Sequence, residues 1–264
     1  MDLGLQDKRA FIAGSSGGLG YAAARELSRE GCRVVLNGRD LSSLKEAANQ
    51  LQAETGNEVF TAQGDVSDPE VPVKLIGQAV QHLGGLDLLI TNSGGPPPGA
   101  FETIPDQEWQ HAVDLVFLSH VRLIRAALPH LRASSAQPSV LTVTSVSVKQ
   151  PIPNLVLSNS VRAATIGLTK TLALELGQDG IRFNSILPGW TRTQRVIELM
   201  TDRAERNDTS VEEEIQKRSQ ETPLGRMAEP EEFGRAAAFL ISPAASYLTG
   251  VMLTAAGGSY RGTF

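Results

Sequence analysis

The residues able to do chemistry fall in two stretches. In TSVSVKQPIPNLVLSNSVRAATIGLTKTLALEL, residues 144–176, Ser145 closes an apolar run, and Ser158 and Arg162 follow on one face of a helix-period segment. Two hydroxyls and a guanidinium can hold an oxygen atom. They move protons poorly, because an aliphatic hydroxyl is a weak acid and an arginine, with a pKa of about 12.5 or more, stays charged. In the second stretch the apolar run Arg9-Ala10-Phe11-Ile12-Ala13 enters Gly14-Ser15-Ser16-Gly17-Gly18-Leu19-Gly20 and then an amphipathic segment. Glycines at 14, 18 and 20 let the backbone turn tightly and approach a pyrophosphate, which a helix N-terminus attracts through its unpaired N–H groups and positive dipole end.

Two other side chains are candidates for a proton. His120 lies in WQHAVDLVFLSHVRLIRAALPHL, and an imidazole titrates near neutrality. Its helix face also carries Trp109, Val113, Phe117, Ile124 and Leu128, so a packed or interface histidine is the alternative. Lys149 follows Ser145 by one short loop; desolvated it is an acid or base, and solvated it is an ordinary surface cation. Asn154 and Asn159 can orient an oxygen but not protonate it.

Short apolar runs alternate with longer helix-period segments. The pattern predicts strands at 9–14, 33–37, 58–63, 86–92, 139–145, 181–187 and 250–255, and helices near 18–30, 40–54, 70–83, 106–133, 157–177, 193–219 and 230–241. Such alternation implies a Rossmann-like doubly wound α/β fold. Its parallel sheet of about seven strands has helices on both faces, and a ligand crevice lies at the carboxyl ends of the strands. Ser67-Asp68-Pro69-Glu70 and Glu229-Pro230-Glu231-Glu232 read as helix starts. Pro96-Pro97-Pro98 between glycines reads as a stiff loop. No linker divides the chain, so a single domain is expected over residues 1–264, with a charged helical lid at about 190–228. Arg192, Arg195 and Arg203 in that lid would favour an acidic group, or else form a solvated surface.

A formal charge of −5 leaves no basic stripe for nucleic acid or an anionic membrane. The single cysteine, Cys32, makes no internal disulfide, which fits a reducing cytoplasm. Nothing at the N-terminus pairs cationic residues with a long apolar run, so neither a signal peptide nor a membrane span is expected.

These motifs, with Asp65-Val66, Thr91-Asn92-Ser93-Gly94, Pro188-Gly189-Trp190-Thr191-Arg192-Thr193 and Tyr247-Leu248-Thr249-Gly250, resemble the short-chain dehydrogenase/reductase family, and in particular its 3-oxoacyl-carrier-protein reductase-like branch, over about residues 5 to 260. The resemblance implies an oxidoreductase acting on a carbonyl or hydroxyl group, or on an acyl-thioester, by hydride exchange with a nicotinamide dinucleotide. It implies that Gly14, Ser15, Ser16, Gly18, Gly20, Arg39, Asp65, Val66, Asn92, Gly94, Arg162, Pro188, Gly189 and Thr191 hold the cofactor. Gly38 falls where NAD-binding members carry an acidic residue, and the adjacent Arg39 suits a 2′-phosphate, so NADP(H) is expected ahead of NAD(H). The alternative for Arg39 is a solvated charge paired with Asp40. Of the family's Asn, Ser, Tyr and Lys only Ser145 is kept; Val116, Ser158 and Arg162 stand in the other three places. The resemblance therefore also admits a dinucleotide-binding or assembly protein without turnover. It further implies a homodimer or homotetramer built on the helices near 106–133 and 157–177.

Overall fold

A computed structural model describes residues 1–263. Seven strands form one parallel sheet in the order β3-β2-β1-β4-β5-β6-β7. They are β1 (Arg9–Ile12), β2 (Arg33–Gly38), β3 (Val59–Gln63), β4 (Leu88–Thr91), β5 (Ser139–Val143), β6 (Arg182–Pro188) and β7 (Met252–Ala255). Each lies within two residues of its expected bounds. At the ends of β1 and β5 the last predicted residues, among them Gly14, Thr144 and Ser145, belong to turns that line the site.

Alternate residues of each strand enter different cores, as the two-residue period of a strand requires. Phe11, Val35, Leu89 and Val140 face α3 (Val71–Leu83), α5 (Ser119–Arg132) and α6 (Val156–Glu175). Ile12, Leu36, Ile90 and Leu141 face α1 (Gly18–Arg29), α2 (Leu41–Thr55) and α9 (Pro230–Ile241). Fully burying a side chain such as Phe183 or Leu27 contributes roughly 1.5–3 kcal/mol. Both faces of the sheet are thus covered, and ligands are left the strand ends.

Helix boundaries follow local chemistry. Asp40 caps α2 by accepting from Ser43 N at 2.8 Å, and Glu229 N donates to Glu232 Oε2 at 2.9 Å at the start of α9. Two expected helices are divided. The segment 106–133 is α4 (Asp106–Val113), a π-helical turn at Asp114–Leu118, and α5. The segment 193–219 is α7 (Gln194–Asn207) and α8 (Val211–Glu221), separated where Asp208 takes φ 50° and Ser210 and Glu213 form a capping box. Buried Glu214 of α8 binds Asn207 and Thr209 at 3.1 and 3.0 Å, which ties the two helices together.

Among the described residues no helix is long and apolar enough to cross a membrane, and no His/Cys/Asp/Glu group could hold a metal. Cys32 is buried, and burial pushes its thiol up to about 12.

Candidate active site

A crevice of about 650 Å³ opens along the carboxyl ends of β1, β2, β4, β5 and β6. At one end lies the turn after β1. α1 starts at Gly17 with no side-chain cap, so its first N–H groups are free toward the opening. A Cβ added to Gly17 would meet nothing within 4 Å, whereas one on Gly20 would stand 2.2 Å from Gly14 O. The turn is therefore open on its crevice side and closed behind, a cradle that fits a pyrophosphate. Gly20 serves it by allowing close packing rather than by facing a ligand.

Asn92 Nδ2 ties Gly14 O to the end of β4 at 3.0 Å. Asn37 does the same from β2, accepting from Gly14 N at 3.1 Å and donating to Ala62 O and Gly64 O. Its supporting role was not read from the sequence, because a polar residue inside an apolar strand carries no periodic signal. Ser15 requires a correction. Its hydroxyl donates to Ile12 O at 2.7 Å and accepts from Asn37 N at 3.0 Å, fully buried, so it braces the turn and offers nothing to the crevice. Ser16 does line the opening.

Beside it, Arg39 is 74% exposed, with Nη1 3.7 Å from Asp65 Oδ2; the ion pair expected as the alternative, with Asp40, is absent, since Asp40 caps α2. Burial works against the Asp65 carboxylate, but hydrogen bonds from Ser67 N and Oγ and the nearby Arg39 outweigh it and hold its pKa below the usual range. A Cβ at Gly38 would lie 2.9 Å from both Cβ and Oγ of Ser16, so a side chain there requires Ser16 to shift. Val66, Gly94, Pro188 and Gly189 all line the crevice.

At the other end β5 runs into Ser145, whose Oγ accepts from Ser147 N at 3.1 Å and keeps its own proton free to donate. Ser158 and Arg162 arrive from α6, with Arg162 Nε donating to Ser158 Oγ at 3.2 Å. The guanidinium is 8% exposed and also reaches Thr144 O and Gly94 O, each at 3.4 Å. Burial, with the like charge of Arg195, draws its pKa down to about 10. Ser145, Ser158 and Arg162 therefore share one end of the crevice, and the Gly-rich turn holds the other.

The remaining candidates separate. Thr191 is 2% exposed and bridges to Ala228, so it does not reach the opening; Thr193 does, and its Oγ caps α7. Strict alternation would put these two on one side, but the chain turns between them, Thr193 N donating to Thr191 O at 2.7 Å, and only Thr193 is left facing the opening. His120 is buried with Nδ1 2.6 Å from Thr91 Oγ1; burial first and Arg162 second push its pKa down to about 3, so it is neutral. Lys149 lies outside the crevice, with Nζ 5.1 Å from the ring centre of Tyr260. Asn159 clamps Ile152 by two backbone hydrogen bonds. Of the three arginines singled out in residues 190–228, Arg195 lines the crevice, Arg203 stacks 5.3 Å from the Trp190 ring, and Arg192 pairs with Glu229 at 3.4 Å.

A family model described as enoyl-(acyl carrier protein) reductase matches residues 13–259. The chain belongs to the short-chain dehydrogenase/reductase family. Dehydrogenase/reductase SDR family member 4 from Bos taurus is 32% identical over 97% of this chain and 88% of its own length. L-sorbose reductase from Gluconobacter frateurii, solved with NADPH and L-sorbose, is 31% identical with a TM-score of 0.93, covering 99% of this chain and 100% of that one. A variant of actinorhodin polyketide ketoreductase solved with NADPH is 26% identical with a TM-score of 0.92, covering 97% and 98%. In this short-chain dehydrogenase/reductase, Val116 is buried within the π-helical turn, and its carbonyl accepts from Thr165 Oγ1 at 3.0 Å, a fixed hydrophobic position rather than a polar one.

Proposed function

We propose that the chain is an NADP(H)-dependent oxidoreductase that interconverts a carbonyl and an alcohol, with Ser145, Ser158 and Arg162 holding the reacting oxygen. The observation that carries this is the hydrogen-bonded Arg162–Ser158 pair beside Ser145, in the same crevice as the open Gly-rich turn. A nicotinamide dinucleotide bound there supplies or accepts the hydride. Ser145 and Ser158 donate to the carbonyl oxygen, and the buried guanidinium opposes the negative charge that grows on it during reduction. The oxygen then takes its proton from water admitted through the open crevice, because neither the aliphatic hydroxyls of Ser145 and Ser158 nor the Arg162 guanidinium gives up a proton readily. That route is slower than a positioned phenol, since general acid catalysis typically contributes about 10²- to 10⁴-fold.

At the other end, Ser16 and exposed Arg39 beside the side-chain-free Gly38 favour a 2′-phosphate, so NADP(H) is preferred to NAD(H). Gly14, Gly18, Asp65, Val66, Asn92, Gly94, Pro188, Gly189 and Thr193 form the rest of the cofactor cradle. Helices α7 and α8 act as a lid over the substrate end, and helices α4 to α6 as the surface of a homodimer or homotetramer. Light scattering that finds only a 28.2 kDa particle rejects the oligomer.

Calorimetry with nucleotide-free protein tests the core reading. Binding of NADPH in preference to NADH supports it, and binding of neither removes it. The double variant S158Y/R162K, which supplies a phenol and an ammonium, is expected to raise NADPH-dependent carbonyl reduction. A dinucleotide-binding protein without turnover is the second reading, favoured by the placement of His120 and Lys149 outside the crevice. Turnover on any carbonyl substrate with saturating NADPH eliminates it.

A further inference from the structure

Two buried guanidinium groups in this chain lack a carboxylate partner among the described residues, and they are satisfied to different degrees. Arg182 sits at the C-terminal end of α9, where it donates to the carbonyls of Leu240, Leu248, Ile241 and Ser242 at 3.0, 3.3, 2.8 and 2.8 Å. The exposed carbonyls and negative dipole end of that helix accept its charge. Arg162 has only the Ser158 hydroxyl at 3.2 Å and two carbonyls at 3.4 Å, which leaves two of its five N–H groups uncommitted, and it lines the crevice.

Arg195 reaches the same end from α7. Its Nη2 donates to Pro96 O at 2.6 Å, and its guanidinium lies over Gly95, where an added Cβ would stand 3.0 Å from Nε. The segment Gly94-Gly95-Pro96 is thus held at one side by Arg162, through Gly94 O, and at the other by Arg195. Glu198 Oε2 is 3.7 Å from Arg195 Nη1, but both side chains are over a third exposed, and such a pair compensates little charge. Among the described residues Asp65 is the one carboxylate that lines the crevice, and it is engaged with Arg39. Two positive charges therefore face the substrate end with nothing of opposite sign. A buried cation without a partner is costly, and an anion placed beside it recovers that cost.

We propose that Arg162 and Arg195 select a substrate carrying a carboxylate close to its reacting carbon, an oxo acid or the corresponding hydroxy acid. A planar carboxylate matches the donor fork of a guanidinium, whereas a neutral ester offers no charge to share. Ser158 is small enough to leave space beside Ser145, and Leu155 and Leu199 make the walls apolar, so the two arginines are what orient the bound molecule. The carbonyl chemistry rests on the oxidoreductase reading above; the charge argument does not.

The test uses matched acid and methyl ester pairs, pyruvate, acetoacetate and levulinate, titrated calorimetrically into the full chain with and without NADPH. At least one acid is expected to bind tenfold or more tightly than its ester. R195Q and R162Q, each checked for folding by its melting temperature, are expected to bring that ratio to within about twofold, while R195Q changes NADPH affinity by less than about threefold. Equal binding of every acid and ester overturns the proposal. So does a preference that survives in both variants, or a tenfold loss of NADPH affinity in R195Q with the preference intact, which assigns Arg195 to the dinucleotide phosphates. An acid preference in protein that binds no dinucleotide sustains the carboxylate site and rejects the oxidoreductase reading, so the two ideas fail separately.

Discussion

Arg162 Nε donates to Ser158 Oγ across 3.2 Å from one helical turn away on α6, which fixes a hydroxyl and a permanent cation as a unit at the floor of the crevice. The pair differs from a lone serine because the guanidinium sets the direction of the hydroxyl proton. Lysine is no simple substitute, since it lacks the planar fork that reaches Ser158, Thr144 and Gly94 together.

Ser145→Ala is expected to lower kcat by about 10²- to 10³-fold on a carbonyl substrate, the usual effect of removing one donor from a developing oxyanion. Ser158→Ala should lower it less, by roughly tenfold, because Arg162 remains. NADPH affinity should hold in both. Steady-state kinetics beside NADPH calorimetry checks this, and a variant that loses cofactor affinity in proportion to rate contradicts the assignment.

Arg39→Ala should weaken NADPH by about tenfold or more, the worth of a charged hydrogen bond to the 2′-phosphate, and leave NADH unchanged. Parallel titrations of the two nucleotides read the difference directly. Equal loss of both would place Arg39 on a group the two nucleotides share.

Gly20→Ala forces a Cβ to 2.2 Å from Gly14 O, so the turn must shift. Overpacking of this kind costs about 1–3 kcal/mol, and the displaced backbone should lose the cradle as well. A lowered melting temperature together with weaker binding of both nucleotides is the expected outcome; an unchanged protein would contradict the close approach.

His120 gives stability a pH dependence of known sign. Its folded pKa lies near 3, below the ordinary value of 6.5, so protons bind the unfolded chain more readily. The stabilisation is whole above about pH 6.5 and declines as the pH falls toward 3, at up to ~1.4 kcal/mol per pH unit from this one group. Urea unfolding at a series of pH values should show that slope, and His120→Gln should reduce it.

Most of the fold was legible because parallel strands buried on both sides read as short apolar runs. All seven are placed to within a few residues, and the ligand crevice follows from their order. What escaped was local. The π-helical turn at 114–118 inserts into a helix whose hydrophobic spacing continues through it, so 106–133 reads as one element. The division of 193–219 was written in the sequence as Ser210-x-x-Glu213, a capping-box pattern that the strong charge periodicity around it masked. In the site, Ser145, Ser158 and Arg162 come together as their spacing requires. Thr191 and Ser15 were misplaced because which of two nearby hydroxyls turns inward depends on backbone pairing with Ala228 and Asn37, partners far away in the chain.

The contact between Gly38 and Ser16 links two positions that lie on different strand ends. With Ser16 Cβ and Oγ both 2.9 Å from any Cβ at residue 38, the acidic residue that would fasten an unphosphorylated ribose can enter only if Ser16 gives way. Cutting Ser16 back to glycine would make that room, and it removes a hydroxyl from the end of the crevice where Arg39 and Asp65 stand. A lineage changing its nucleotide would pass through a poorer intermediate, and steric interlocking rather than charge would set how readily that preference drifts.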